Sequence, residues 1–162
     1  MANVRGIVTG LRSNGFYMQD PEPDSDPATS EGVFAFTSSA PGVAVGDLVR
    51  VDGRVSEFIP GGSSTGNLPT TEVSTSNARV SVLSHGNALP APVVASPPTS
   101  IVEDESAPDV RDGNVFDPAQ DGLDYWESLE GMRVTFNNAV VTMAAASRAT
   151  SWRTSRSTCR AS

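Results

Sequence analysis

The sequence predicts a mainly β protein whose N-terminal half is a small five-stranded barrel. Three observations lead there. Fourteen glycines and twelve prolines in 162 residues, with 38% hydrophobic and 6% aromatic residues, describe a turn-rich chain with a modest core. Short apolar runs alternate with polar residues at a period of two. No helical period interrupts the first 85 residues. A chain of this length holds one ordinary domain of about 100 to 150 residues, with some sequence to spare.

The strands follow in order. VRGIVTGL at 4–11 places Val4, Ile7 and Val8 among small and polar residues, and Asn14-Gly15 is a strong hairpin turn. FYMQD then alternates Phe16 and Met18 against Tyr17 and Gln19, so residues 3–20 read as a β-hairpin. GVFAFTS at 32–38 is a third strand. GDLVRVDGRVSEF at 46–58 is a longer fourth, in which Gly53 marks a bulge or bend. After the flexible PGGSSTGNLP at 60–69, TTEV and ARVSVLS supply the last strand material, ending at Ser84. Five strands in 85 residues fit a barrel of the oligonucleotide/oligosaccharide-binding (OB) type, assigned here to residues 1–85.

Beyond this domain the texture changes. Residues 86–120, Pro-rich and then acidic, read as an extended linker. Residues 121–142 read as the start of a second, truncated β unit. Asp121 or Asp124 caps a short helix through Leu129, Gly131 ends it, and Met132–Val141 is a strand with no successor in the sequence. Tyr125, Trp126 and Leu129 form the face by which that helix docks. Residues 143–162 contain no acid and four arginines (148, 153, 156 and 160), leaving seven basic against nineteen acidic residues before them. They read as a disordered tail, either a basic polyanion-binding end or, the favoured reading, the product of a shifted reading frame in GC-rich DNA.

Charge narrows the function. The net charge of -8, carried with arginine as the only strong base, makes the chain a poor general phosphate binder, so any nucleic-acid role must be local and weak. No apolar run reaches the roughly 18 residues of a membrane span, and no leader peptide is legible at the N-terminus. Cys159 is the only cysteine, which excludes a disulfide framework.

Candidate site residues fall into two groups. Stacking on exposed aromatics is how OB barrels hold single strands, and Tyr17, Phe34 and Phe36 lie on the strands that would form that surface. Alternation sends Phe34 and Phe36 to the same side, and in so small a barrel the core is the favoured destination, which leaves Tyr17 as the better exposed candidate. Arg50 and Arg54 are placed to contact phosphate or simply to solubilise the outer face. The second group is the acidic loop QDPEPDSDPATSE, where Asp20, Asp24 and Asp26 with backbone carbonyls could ligate Ca²⁺. The loop lacks the EF-hand order of ligands, and Pro21, Pro23 and Pro27 restrict its wrapping. A rigid connection in which Asp-Pro units set turns is the preferred alternative. His85, beside Gly86-Asn87, reads as a surface turn, GGSSTGN lacks the ending of a phosphate loop, and one histidine without a placed base and acid makes no hydrolase triad.

Taken together, GIVTGLRSNGFYMQDP, DPATSEGVFAFT, GDLVRVDGRVSEF, TTEV, VLSHGNALPAPV and YWESLEGMRV resemble the N-terminal, non-catalytic region of bacterial secreted nucleases. In those proteins an OB-like barrel precedes a DNase I-like catalytic domain of the endonuclease/exonuclease/phosphatase class. The resemblance covers about residues 3–142 and implies an extracellular, non-catalytic module. Its partners would be single-stranded DNA or RNA, bound weakly, or the nuclease domain itself, with the module a monomer away from membranes. That catalytic domain would need Mg²⁺ or Mn²⁺; none of its metal carboxylates or paired histidines has a counterpart here, so this chain is expected to be a fragment without chemistry of its own. A calcium-dependent extracellular module that binds carbohydrate is the competing expectation.

Overall fold

The computed structural model describes residues 2–98 and 116–139. Its first part is mainly β: β1 (Ala2–Arg12), β2 (Gly15–Gln19), β3 (Gly32–Phe36), β4 (Leu48–Phe58), β5 (Thr70–Ser74) and, after a single 3₁₀ turn at Asn77–Arg79, β6 (Val80–Ser84). The expected hairpin at 3–20 is β1 and β2, and the third and fourth expected strands are present with slightly different ends, but the sheet has six strands instead of five: the last strand material divides at the 3₁₀ turn into β5, paired with β3 and β4, and β6, paired with β4 alone.

The pairings make a ring. β2 lies antiparallel between β1 and β3, β3 runs parallel to β5, β5 runs antiparallel to β4, and β4 returns to β1. Two long strands close it by changing partner midway. β1 pairs β4 through Ala2–Ile7 and β2 through Ile7–Arg12, with a register shift between Val8 and Gly10. β4 pairs β1 through Leu48–Gly53 on one edge; along its other edge run β6, and then β5 from Arg54 to Phe58. Gly53 is therefore not a bulge but the bend at which β4 passes from one neighbour to the next. A Cβ there would stand 2.4 Å from Val73 Cγ1 and 2.7 Å from the Ser74 carbonyl oxygen, so only glycine allows the strands this close.

The inward-facing residues fill the ring: Val8, Phe16, Met18, Ala35, Val49, Val51 and Val73 are fully buried, with Val4, Val33, Val43 and Val80 packed around them. Phe16 and Met18 supply the largest side chains, as the alternation of β2 requires. One polar anchor holds the register shift of β1. Val8 donates to the Asp47 carbonyl at 2.8 Å and accepts from Gly46 N at 2.9 Å. The buried Asp47 carboxylate accepts from Ala44 N at 2.9 Å and meets the exposed His85 Nδ1 at 2.7 Å. Asn87 finishes the corner, donating to the Gly46 carbonyl through both its backbone and side-chain nitrogens.

The second part docks back on the ring. Helix α1 (Gly122–Glu127) is followed by two turns and by β8 (Val134–Thr135), which pairs in parallel with β7 (Val93–Val94). Thus the strand expected at 132–141 is two residues long within the described part. Its partner lies in the stretch read as linker, which is ordered at least through these two residues. The expected caps also shift: Asp121 stands at the N-cap without a side-chain bond to the helix's first turn, while the buried Asp124 accepts from Asp117 N at 2.5 Å. Gly131, with a φ of 70°, turns the chain after the helix as expected.

Docking uses backbone and polar groups rather than a large apolar face. Ser30 Oγ donates to the Glu130 carbonyl at 2.5 Å, Thr71 N donates to Glu130 Oε2 at 3.1 Å, and Arg133 N donates to Gln19 Oε1 at 3.1 Å. This last bond explains why Gln19 is buried although alternation turns it away from the core. Arg133 also donates to the Pro90 carbonyl, and Tyr125 Oη accepts from Ser96 N at 2.7 Å. Of the helix face expected to dock, Tyr125 and Leu129 do so, whereas Trp126 stays 37% exposed against Phe136, their ring centroids 5.9 Å apart. Residues 99–115 and 140–162, which hold the acidic half of the expected linker, the expected end of the last strand and the expected tail with Cys159 and its four arginines, lie outside the described residues.

Two outcomes follow. A Cβ on Gly32 would meet the Gly131 carbonyl carbon at 2.4 Å and Met132 N at 2.6 Å; Gly32→Ala therefore pushes the two parts of the chain apart, at a cost of about 1–3 kcal/mol. Faster hydrogen exchange at the Arg133 and Thr71 amides, with the other ring amides unchanged, is the expected readout. Asp47 is held below the ordinary carboxylate range, first by the Ala44 N–H and then by His85. Its stabilising contribution is present above the unfolded value of about 3.9 and is lost as pH falls through the lower folded value. The melting temperature should fall over that acid range, and less steeply in Asp47→Asn, whose melting temperature at neutral pH should already be lower.

Candidate functional site

The outward face of β2, β3, β5 and β4 carries the feature that stands out. Register aligns Tyr17, Phe34, Glu72 and Ser56 in one row across the four strands, and Gly15, Phe36, Ser74 and Arg54 in the next. Between and beside them lies a groove of about 380 Å³, lined by Tyr17, Phe34, Phe36 and Phe58 with Arg12, Asn14, Pro60, Thr70 and Glu72. A shallower hollow continues past Phe36 over Ser38, Ser74, Thr75, Ser76 and Arg79.

The favoured core placement of Phe34 and Phe36 is corrected by this geometry. The inward residues of β3 are Val33 and the fully buried Ala35, and both phenylalanines are half-buried on the outside. Volume explains the choice: with Phe16 and Met18 already inside, the ring accepts an alanine at β3 and no further aromatic. Glycine then seats the displaced ring. A Cβ on Gly15 would lie 2.5 Å from Phe34 Cζ and 2.3 Å from the Ala35 carbonyl oxygen, so the Phe34 ring rests over a position that must lack a side chain. Tyr17 packs on Phe34 with centroids 5.0 Å apart and planes tilted by 52°, and its hydroxyl accepts from Arg12 Nη1 at 3.2 Å. Phe58, 53% exposed, closes the far side.

Of the two arginines proposed for phosphate, Arg54 shares the aromatic face through the Phe36–Ser74 row. Arg50 does not line the groove: it sits opposite Arg5 on β1 and Ser81 on β6. Phe58, Glu72, Arg12 and Arg79 escaped the sequence reading. For Phe58 a signal was present, since counting in twos from Arg54 along β4 reaches it; Glu72 likewise alternates with the apolar Val73.

The acidic loop has a different organisation. Asp20 Oδ1 accepts from Glu22 N at 2.8 Å, Asp24 Oδ1 from Asp26 N at 2.7 Å, and Asp26 Oδ1 from Ala28 N at 2.9 Å. Glu31 Oε1 accepts from Asp24 N at 3.1 Å across the loop mouth. Each of the three aspartates thus fastens a backbone N–H two residues on, the local turn that Asp favours. Among the described residues no three His, Cys, Asp or Glu side chains converge as metal ligands, so Asp20, Asp24 and Asp26 are not gathered into a cation cage. Millimolar calcium should accordingly leave the melting temperature where it stands in chelator. A rise of several degrees would reveal a site used by the folded state.

Comparison with known proteins adds little that names this surface. A family model described as a domain of unknown function (DUF8508) matches residues 91–161, a span that begins after the ring, includes β7, α1 and β8, and runs across residue 142. No curated protein and no solved structure matches the chain.

Proposed function

We propose that this chain is a non-catalytic module that binds single-stranded nucleic acid on the aromatic face of an OB-like ring, in the manner of an accessory region that positions substrate for a secreted nuclease. The observation that carries the reading is the gathering of Tyr17, Phe34, Phe36 and Phe58 on one outward sheet face, with Arg12, Arg54 and Arg79 around it. Burying a phenylalanine from water is worth roughly 1.5–3 kcal/mol, and this surface forgoes much of that in the free protein. Stacked bases would recover it at about 1–3 kcal/mol each, while the arginines meet the backbone between them. The likeness of residues 3–142 to nuclease N-terminal regions supports the parent assignment. Nothing in the geometry of the acidic loop favours the calcium-dependent reading.

The test is fluorescence anisotropy of labelled single-stranded oligonucleotides. Three arginines neutralising up to three phosphates predict a slope of log K against log salt of about -2. Phe58→Ala and Tyr17→Ala should each weaken binding by roughly 5- to 150-fold. Salt-insensitive binding that neither substitution changes would count against the reading, as would tighter binding of a neutral oligosaccharide than of any oligonucleotide.

A further inference from the structure

Glu72 is the one acid among the residues that line the aromatic groove, and it sits at the groove's floor. Its side chain stands between Phe34 on β3 and Ser56 on β4, and the residue is only 9% exposed. One Glu72 oxygen, Oε1, accepts from Ser74 Oγ at 3.1 Å. Ser74 Oγ also lies 3.4 Å from Ser56 Oγ. Among the described residues Glu72 is in no ion pair. A carboxylate offers about four acceptor sites, and among the described residues one hydroxyl donates to it. Neither Glu72 oxygen is sealed away from solvent without a partner, so its spare acceptor capacity is open to donors that enter the groove.

We propose that Glu72 makes the groove selective for bases that present N–H donors on their pairing edge, guanine foremost and thymine or uracil least. This rests on the single-strand reading above and goes beyond it. A base stacked on Phe34 and Phe36 is held with its edge, not its phosphate, toward the floor, because the carboxylate repels phosphate and the arginines attract it outward. Guanine then offers two parallel donors, N1–H and the N2 amino group, which match the two oxygens of a carboxylate. Cytosine and adenine each offer one amino group; acceptance of the cytosine N4 amino group by glutamate is an established pairing. Thymine and uracil offer a single N3–H flanked by two carbonyl oxygens, and these oppose the carboxylate. Stacking tolerates any base, since each has a π face, so the preference must come from this edge contact.

The experiment uses the full chain and labelled oligo-dT of about twelve nucleotides, compared with the same strand carrying interior dG or dC substitutions. Hydrogen bonds to a charged group are worth roughly ten- to a hundredfold in affinity, so dG-containing strands should bind at least about tenfold tighter than oligo-dT. Glu72→Gln keeps the shape and the Ser74 bond and replaces one oxygen by a donor, so the preference should collapse, with oligo-dT gaining. A thermal melt matching the parent shows that the variant is folded. Equal affinity for all strands, with binding still weakened by Tyr17→Ala, overturns the base selection and leaves the single-strand reading standing. Absence of any binding sensitive to Tyr17→Ala or Phe58→Ala overturns both, and neutral oligosaccharide binding that depends on Glu72 assigns the groove to another ligand class.

Discussion

The ring depends on two strands that change partners, and above all on the passage of β4 over β5 at Gly53. Five short strands cannot close on themselves while each keeps one neighbour per edge along its whole length, because strand twist carries the sheet away from closure. β1 and β4, eleven residues each, solve this by spending one half on one partner and the other half on the next. That requires β4 to bend against β5 where any Cβ would strike Val73 and the Ser74 carbonyl. On β1 the same office falls to the register shift after Val8, which is clamped by the backbone of Gly46 and Asp47. The corner at Asp47, Ala44 and His85 is thus part of the closure and not a decoration of the surface.

Closure sets the interior volume, and the interior volume decides which side of β3 carries the aromatics. Phe16 and Met18 from the neighbouring strand occupy the space, so β3 turns only the small Val33 and Ala35 inward and its two phenylalanines out. Gly15 on β2 gives one of them a bed, and Tyr17 gives it a partner. The outward aromatic face is in this sense a consequence of how the core is filled, and its side of the sheet is determined before any ligand is considered.

Much of this was legible beforehand, and the gaps have definite physical causes. The strands and the Asn14-Gly15 hairpin follow from period-two alternation and turn chemistry, both local properties. Alternation also puts Phe34 and Phe36 on one side, but it cannot say which side; that depends on the volume already committed by Phe16 and Met18 from another strand. The turn-setting role of Asp20, Asp24 and Asp26 follows from each side chain's reach to the N–H two residues on. The pairing of Val93–Val94 with Val134–Thr135 was hidden because two-residue strands have no period to detect and their partners lie some forty residues apart. The contact of Gly32 with Gly131 was hidden for a related reason, since a glycine shows where a side chain is forbidden without naming what approaches.

A chain with a net charge of -8 can still offer a local welcome to an anionic strand. Surface charges are screened beyond about 10 Å at 0.1 M salt, so the carboxylates of the 20–31 loop act mainly on their own surroundings, where they are occupied with backbone N–H groups. On the aromatic face the balance is reversed: Arg12, Arg54 and Arg79 surround a groove whose lining contains the single acid Glu72. For the single strand proposed as ligand, the long-range field would slow encounter while short-range contacts would retain what arrives, because steering depends on net charge whereas stacking does not. Such a surface would hold a strand loosely, as the role proposed above requires of a module that passes its substrate to chemistry performed elsewhere.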